Sequence, residues 1–297
     1  MRLLITGKNG QVGFELARSL GVLGEVIALD RSQCDLENEA QLRSTIRDLK
    51  PDVVVNAAAY TAVDRAESEH EKASAINGRA PGIIGEEAAL LGALVVHYST
   101  DYVFDGGGIS PFREDDVPNP LSIYGSSKLA GERALAASGA DHLIFRTSWV
   151  VGVHGNNFAK TMLRLAADRD ELKVVADQTG APTSARLIAD VTAHAVRDVL
   201  RNRAEAALGV YHLAAGGETN WHAYAVHVID AARKAGVPVR VASESIKPIS
   251  TAEYPTPAAR PSNSRLDTSK LRSTFGLNLP SWQQEIDTIL EQIIVKP

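Results

Sequence analysis

Tyr124 and Lys128 stand four residues apart in Ser122-Ile123-Tyr124-Gly125-Ser126-Ser127-Lys128. On a helix, positions i and i+4 share a face. An ammonium beside a phenol favours phenolate and draws its pKa from about 10 toward neutrality. Such a phenol is a usable general acid or base. The same pair also arises by chance on exposed helices, so the spacing alone decides little. Thr100, in Ser99-Thr100-Asp101, adds a hydroxyl just after an apolar run. If that run is a strand, the hydroxyl lies at its carboxyl end, where open α/β sheets bind ligands. Thr100 and Tyr124 would then surround one carbonyl oxygen.

Gly7, Gly10 and Gly13 form a Gly-x-x-Gly-x-x-Gly turn directly after the first apolar run. The chain there must turn tightly, approach a pyrophosphate without intervening side chains, and pack the next helix against a strand. The helix N-terminus then offers free N–H groups to the phosphates. A turn of this kind is a weak signal alone; a strand before it and a helix after it raise its value. Asp30 ends the second apolar run, where a carboxylate binds ribose hydroxyls and favours NAD. Arg31 follows at once and could hold the 2′-phosphate of NADP, or could be a solvated loop residue. The cofactor expected is therefore NADPH or NADH.

The elements that must position these groups are legible as short β-branched runs alternating with helical stretches. Runs at 3–6, 25–30, 52–56, 93–99 and 143–147 read as buried strands, and Ile76, Ala80, Ile83, Ile84, Ala88 and Leu91 recur at helical spacing. The expectation is an α/β fold: a Rossmann-type doubly wound parallel sheet over residues 1–150, with a smaller C-terminal substrate-binding lobe over 151–297. Residues 183–215 are expected to return in part to the first domain. Helices are expected at 14–20, 158–169 and 187–200, a short strand at 210–214, and mostly extended loop across the proline-rich 244–264.

The chain has 297 residues, 44% hydrophobic and 23% charged, with a net charge of −5. This is ample for a core, and the acidic balance argues against nucleic acid as a partner. Cys34 is the lone cysteine, so no intrachain disulfide forms and a reducing compartment fits. No apolar run suits a signal peptide or a membrane span, so the expected location is the cytoplasm, away from membranes. The histidines show no metal-ligand spacing; His97 reads as a core or near-core histidine, Trp221 and Trp282 as packing, and Glu67, Glu69 and Glu71 as a solvated helix start.

Taken together, Gly7-x-x-Gly10-x-x-Gly13, Asn56-Ala57-Ala58-Ala59, Ser99-Thr100-Asp101 and Tyr124-x-x-x-Lys128 resemble the extended short-chain dehydrogenase/reductase superfamily. Gly7-Lys8-Asn9-Gly10-Gln11-Val12-Gly13, Ala58-Ala59-Tyr60-Thr61-Ala62-Val63-Asp64, Arg146-Thr147-Ser148-Trp149 and Arg260-Pro261-Ser262-Asn263-Ser264-Arg265 are similar to those members that act on dTDP-linked keto-deoxysugars. That resemblance implies reduction by NADPH or NADH of the C4 ketone of dTDP-4-dehydro-β-L-rhamnose, the last step in making dTDP-L-rhamnose. It implies Tyr124 as proton donor, Lys128 on the nicotinamide ribose and Thr100 on the reacting oxygen. Gly10, Gln11 and Val12 would meet the pyrophosphate, and Asp30, Arg31, Asp35 and Leu36 the adenosine end. Ala59, Tyr60, Thr61 and Tyr98 would line the cofactor, Asp101 and Trp149 the sugar, and Arg260 the diphosphate.

Some members resembling this chain form dimers bridged by magnesium between acidic side chains. Glu15 matches one ligand position, but Arg186 stands where another carboxylate would begin the later helix, with Asp190 a turn on. A cation beside such a site is electrostatically unfavourable, so a metal is doubtful here, and monomer and homodimer both stay open. A dehydratase is disfavoured because Tyr102, not glutamate, follows Thr100-Asp101. An epimerase, and a binding subunit of methionine adenosyltransferase, are the rivals the motifs leave.

Overall fold

The computed structural model describes residues 1–294. Its first half alternates β1 (Arg2–Thr6), α1 (Gln11–Leu20), β2 (Glu25–Leu29), α2 (Glu39–Leu49) and β3 (Val53–Asn56). Two short helices, α3 (Val63–Ala66) and α4 (His70–Ala73), lead through a π-helical turn at Ser74–Arg79 into α5 (Ala80–Leu91). Then come β4 (Leu94–Thr100), α6 (Ile123–Ala137) and β5 (His142–Thr147). The second half holds β6 (Val150–Val151), α7 (Phe158–Asp168), β7 (Leu172–Val175), β8 (Thr179–Gly180), β9 (Thr183–Ser184), α8 (Ala185–Arg201) and β10 (Gly209–His212). It closes with β11 (Thr219–Asn220), α9 (Trp221–Lys234), β12 (Ile246–Ile249), α10 (Ser269–Phe275) and α11 (Trp282–Ile293).

Six strands form one parallel sheet in the order β2-β1-β3-β4-β5-β10. Successive side chains of a strand face opposite sides, so a strand covered on both sides must be apolar throughout. In β1, Leu3 and Ile5 join a cluster with Leu16 and Ile188, while Leu4 joins Leu42, Ile46 and Ile84 on the other face. The Rossmann-type doubly wound fold is thus present. The order reverses between β1 and β3, which creates the crevice where such sheets take ligands.

Several boundaries differ from the sequence reading. α1 begins at Gln11, not 14, because Gly10 serves as its N-cap. The π-helical turn at Ser74–Arg79 shifts Ile76 out of phase with the stripe of α5, and Leu91, the last residue of α5 before its Gly92 cap, is 38% exposed. Within the expected loop 244–264, β12 pairs in parallel with β7. That pairing is a tertiary event with little local signal. Residues 185–212 carry α8 onto α1 and β10 into the main sheet beside β5.

Candidate active site

The glycine turn is built by contact. Gly7 has φ +78°, and a Cβ there would lie 2.8 Å from the Ala58 amide. A Cβ at Gly13 would lie 2.1 Å from the Gly7 carbonyl, so only glycine lets α1 sit on the turn. At Gly10 an added Cβ would meet only the Gly7 carbonyl, at 3.3 Å, and the surroundings are otherwise open. No side chain caps α1, so its first N–H groups, on Gln11 and Val12, are available. This open, donor-lined cradle fits a dinucleotide pyrophosphate.

At the end of β2, Asp30 accepts from the Ser32 hydroxyl (2.6 Å) and amide (3.0 Å) and pairs with Lys8 at 3.2 Å. Ser32, then Lys8, hold its carboxyl down at about 2. Arg31 is not simply solvated: it bonds to Glu37 and lies 3.4 Å from Asp35. The Leu36 side chain is 6% exposed and packs with Cys34 and Leu42. On the loop after β3, Asn77 clamps Tyr60, accepting from its amide at 2.8 Å and donating to its carbonyl at 3.0 Å. Ala59 is half-buried and Thr61 exposed on that loop. Asn77 went unnoticed in the sequence because its role depends on the π-helical turn.

Thr100 ends β4, and Tyr124 opens α6 opposite it. Ser122 caps α6 by accepting from the Gly125 amide at 3.1 Å. Gly125 allows the close approach: a Cβ there would lie 2.1 Å from the Tyr102 carbonyl. The Tyr124 ring meets Tyr102 edge-on at 5.6 Å. Burial, then the charge of Asp101, push the Tyr124 phenol above its ordinary value, and the Thr100 hydroxyl opposes the rise. Thr100 donates to Asp101 Oδ1 at 3.0 Å. Burial pushes Asp101 up to about 6, against hydrogen bonds from Ser264 and Thr100.

Lys128 corrects an expectation. Its Nζ donates to the Tyr98 carbonyl at 2.5 Å and lies 3.3 Å from His97 Nε2. The ammonium is turned into β4 rather than toward the phenol, so it does not draw the Tyr124 proton off. Burial lowers Lys128 to about 8, with the charge of Glu132 opposing. Tyr98 keeps its hydroxyl in the core, 2.8 Å from Thr192 Oγ1, and its carbonyl accepts from Lys128.

The C-terminal half closes over this end of the sheet. Arg260 donates to Asp64 Oδ2 at 2.7 Å, and Asp64 Oδ1 accepts from the Ala258 amide at 3.2 Å. Arg260 Nη1 is buried with no partner among the described residues, a donor in want of an acceptor. Trp149 holds φ +48° and stacks on Trp221 at 3.7 Å. A Cβ at Gly180 would lie 2.7 Å from that Trp149 ring. Trp221 packs against the core through Phe158 and Tyr224 as well as Trp149, and Trp282, 5% exposed, is buried. The Ser264 amide donates to the Thr179 carbonyl (2.7 Å), tying the tryptophan side to the Asp101 side.

Glu15 does not reach this site. It faces a cavity between α1, α8 and α11 whose lining includes Arg186, Asp190 and Glu285. Arg18 bonds to Glu15 at 3.2 Å and to Asp190 at 2.8 Å, and Arg186 lies 3.8 Å from Asp190. Two guanidiniums thus pair with Glu15 and Asp190, while Glu285 bonds to the Ser184 hydroxyl.

A nucleotide cradle at the β1–β3 switch, with a phenol, a hydroxyl and a lysine gathered at the end of β4, defines a Rossmann-type oxidoreductase of the short-chain kind. Comparison with known proteins gives the family. Residues 1–295 match the model of the RmlD substrate binding domain, and the chain belongs to that family. It is 49% identical over 296 residues to a dTDP-4-dehydrorhamnose reductase of Burkholderia thailandensis, covering 99% of each chain. It is 52% identical over 297 residues to the reductase of that name in Escherichia coli K12, covering 99% of this chain and 98% of the other. A dTDP-4-dehydrorhamnose reductase of Bacillus anthracis, solved in complex with NADP, superposes with a TM-score of 0.87 at 34% identity, over 98% of this chain and 99% of that one.

Proposed function

We propose that the protein reduces the C4 ketone of dTDP-4-dehydro-β-L-rhamnose to the alcohol of dTDP-L-rhamnose, using NADPH or NADH. The observation that carries this reading is the gathering of Thr100, Tyr124 and Lys128 at the end of β4, in a chain that matches named reductases from end to end. When bound, the reduced nicotinamide supplies the hydride. Tyr124 keeps its proton at neutral pH and gives it to the carbonyl oxygen as negative charge develops there. Thr100 turns its single hydroxyl hydrogen, held by Asp101 Oδ1 in the free protein, to the same oxygen. Lys128 and the glycine turn hold the dinucleotide, with Asp30, Arg31 and Asp35 at the adenosine end. Arg260, aimed by Asp64, takes the diphosphate of the sugar nucleotide through its free Nη1, and Trp149 and Asp101 face the sugar.

The test is loss of reduced-nicotinamide absorbance with purified protein and dTDP-4-keto-6-deoxyglucose, with and without the 3,5-epimerase that makes the rhamno-configured ketone. Epimerase-dependent oxidation establishes enzyme and substrate together. No oxidation by protein shown to bind nicotinamide sinks the reading. NADH run beside NADPH shows whether Arg31 leaves Glu37 for a 2′-phosphate: selective weakening of NADPH in Arg31→Ala is the expected sign.

A further inference from the structure

We propose that His97 is a positioning residue for Lys128, the last member of a sealed hydrogen-bonded row, Thr6–Asn56–His97, whose direction follows the charge on Lys128. The inference rests on the reductase reading for its functional meaning, though not for its geometry. Thr6, Asn56 and His97 are register partners on the neighbouring strands β1, β3 and β4, so they form one line across the sheet. Thr6 Oγ1 donates to Asn56 Oδ1 at 2.6 Å, Asn56 Nδ2 lies 3.1 Å from His97 Nδ1, and His97 Nε2 lies 3.3 Å from Lys128 Nζ. The first three are 1% exposed and Lys128 is 2% exposed, so water cannot substitute for any partner.

A neutral imidazole has one donor and one acceptor. Burial, and secondarily the charge of Lys128, hold His97 well below the usual imidazole range, so it stays neutral. The row therefore has a direction. An ammonium offers only hydrogens, so with Lys128 charged the His97 Nε2 must accept and Nδ1–H must donate to an amide oxygen of Asn56. With Lys128 as a free amine, Nε2–H donates to its lone pair and Nδ1 accepts from Asn56 Nδ2. The amide of Asn56 stands here in the second arrangement, and a half-turn exchanges its two ends. Charged Lys128 has three hydrogens. The Tyr98 carbonyl takes one and His97 a second, which directs the third. An apolar residue at 97 would free the ammonium to rotate and leave the end of the Asn56 amide that faces it without a partner. The other titratable groups close to Lys128 are Tyr124 and Glu132, one turn to either side on α6, and Glu132 is itself locked to Arg146 at 2.7 Å.

Two measurements test this. Histidine nitrogen NMR of the free protein reads the tautomer of His97 directly. The expected result is Nδ1–H at about pH 6.5, changing to Nε2–H as Lys128 titrates near 8, with the change abolished in Lys128→Met. One tautomer throughout, or a change that survives Lys128→Met, overturns the proposal. The second measurement separates the two ring nitrogens, since glutamine places a polar atom near the Nε2 position and asparagine near the Nδ1 position. His97→Gln should keep kcat within about threefold of wild type, while His97→Asn and His97→Leu lose about tenfold or more with substrate KM little changed. Melting curves with bound nicotinamide identify variants that merely fail to fold. Equal losses in the glutamine and asparagine variants would refute the idea. If wild-type protein shows the tautomer change yet oxidises no reduced nicotinamide with the sugar nucleotide, the reductase reading falls and the row stands.

Discussion

At the scale of single residues, burial sets the protonation of a phenol and of a carboxyl beside it. Tyr124 is pushed up by burial and by the charge of Asp101, so it rests protonated, the form a ketone reductase needs. Tyr124→Phe should lower kcat by about two orders of magnitude or more while dinucleotide affinity, read by fluorescence titration, stays within about twofold; near-normal turnover would remove Tyr124 from the mechanism. Asp101 is raised by burial as well. Its folded pKa, about 6, lies above the unfolded value of an aspartate, so its contribution to stability is present at low pH and is lost as pH rises through about 6. Asp101→Asn has no such loss. Between about pH 5 and pH 8, unfolding free energies should move in the variant's favour by about 1 kcal/mol. A constant difference between variant and wild type across that window would show that Asp101 is not raised.

At the scale of elements, the turn between β1 and α1 is set by interlocking backbone. Gly13→Ala would put a methyl group 2.1 Å from the Gly7 carbonyl, and neither partner is a flexible side-chain end. α1 must then lift from the sheet, at a cost of about 1–3 kcal/mol, and the N–H groups of Gln11 and Val12 move with it. The expected outcome is at least about tenfold weaker dinucleotide binding by titration calorimetry, with a lowered melting temperature. Unchanged affinity would mean that the pyrophosphate lies elsewhere. The same logic applies where α6 meets the Thr100 turn at Gly125 and where β8 meets Trp149 at Gly180. Glycines there are fixed by what presses on them rather than by a turn motif, and this is why the motif in β1–α1 was legible and these were not.

At the scale of the whole molecule, the second half does two separate things. Residues 185–212 complete the sheet, while the segment around 256–265 crosses back to Asp64 and Asp101 and closes the site. On another face, Arg18 pairs with Glu15 and Asp190, and Arg186 with Asp190, which places two cations where a divalent ion would have to sit. Turnover and sedimentation coefficient should therefore be the same, within error, with excess EDTA and with millimolar magnesium. A loss on chelation that magnesium reverses would show that the guanidiniums give way to metal. Among the described residues, no helix is long and apolar enough to cross a membrane.

The sequence by itself determined whatever depends on near neighbours along the chain. The glycine spacing, the strand runs of the parallel sheet and the shared face of Tyr124 and Lys128 are local constraints, and each has a period or a spacing to read. Tertiary structure decided what lies across the chain. Arg260 finds Asp64 from 196 residues away, and Trp149 finds Trp221; no periodicity records either pairing. It also reversed a local inference: four residues of separation put Lys128 on the face of Tyr124, but burial made its ammonium seek the Tyr98 carbonyl and His97. A buried charge takes the nearest acceptors that water can no longer supply, and only the packed fold says which those are.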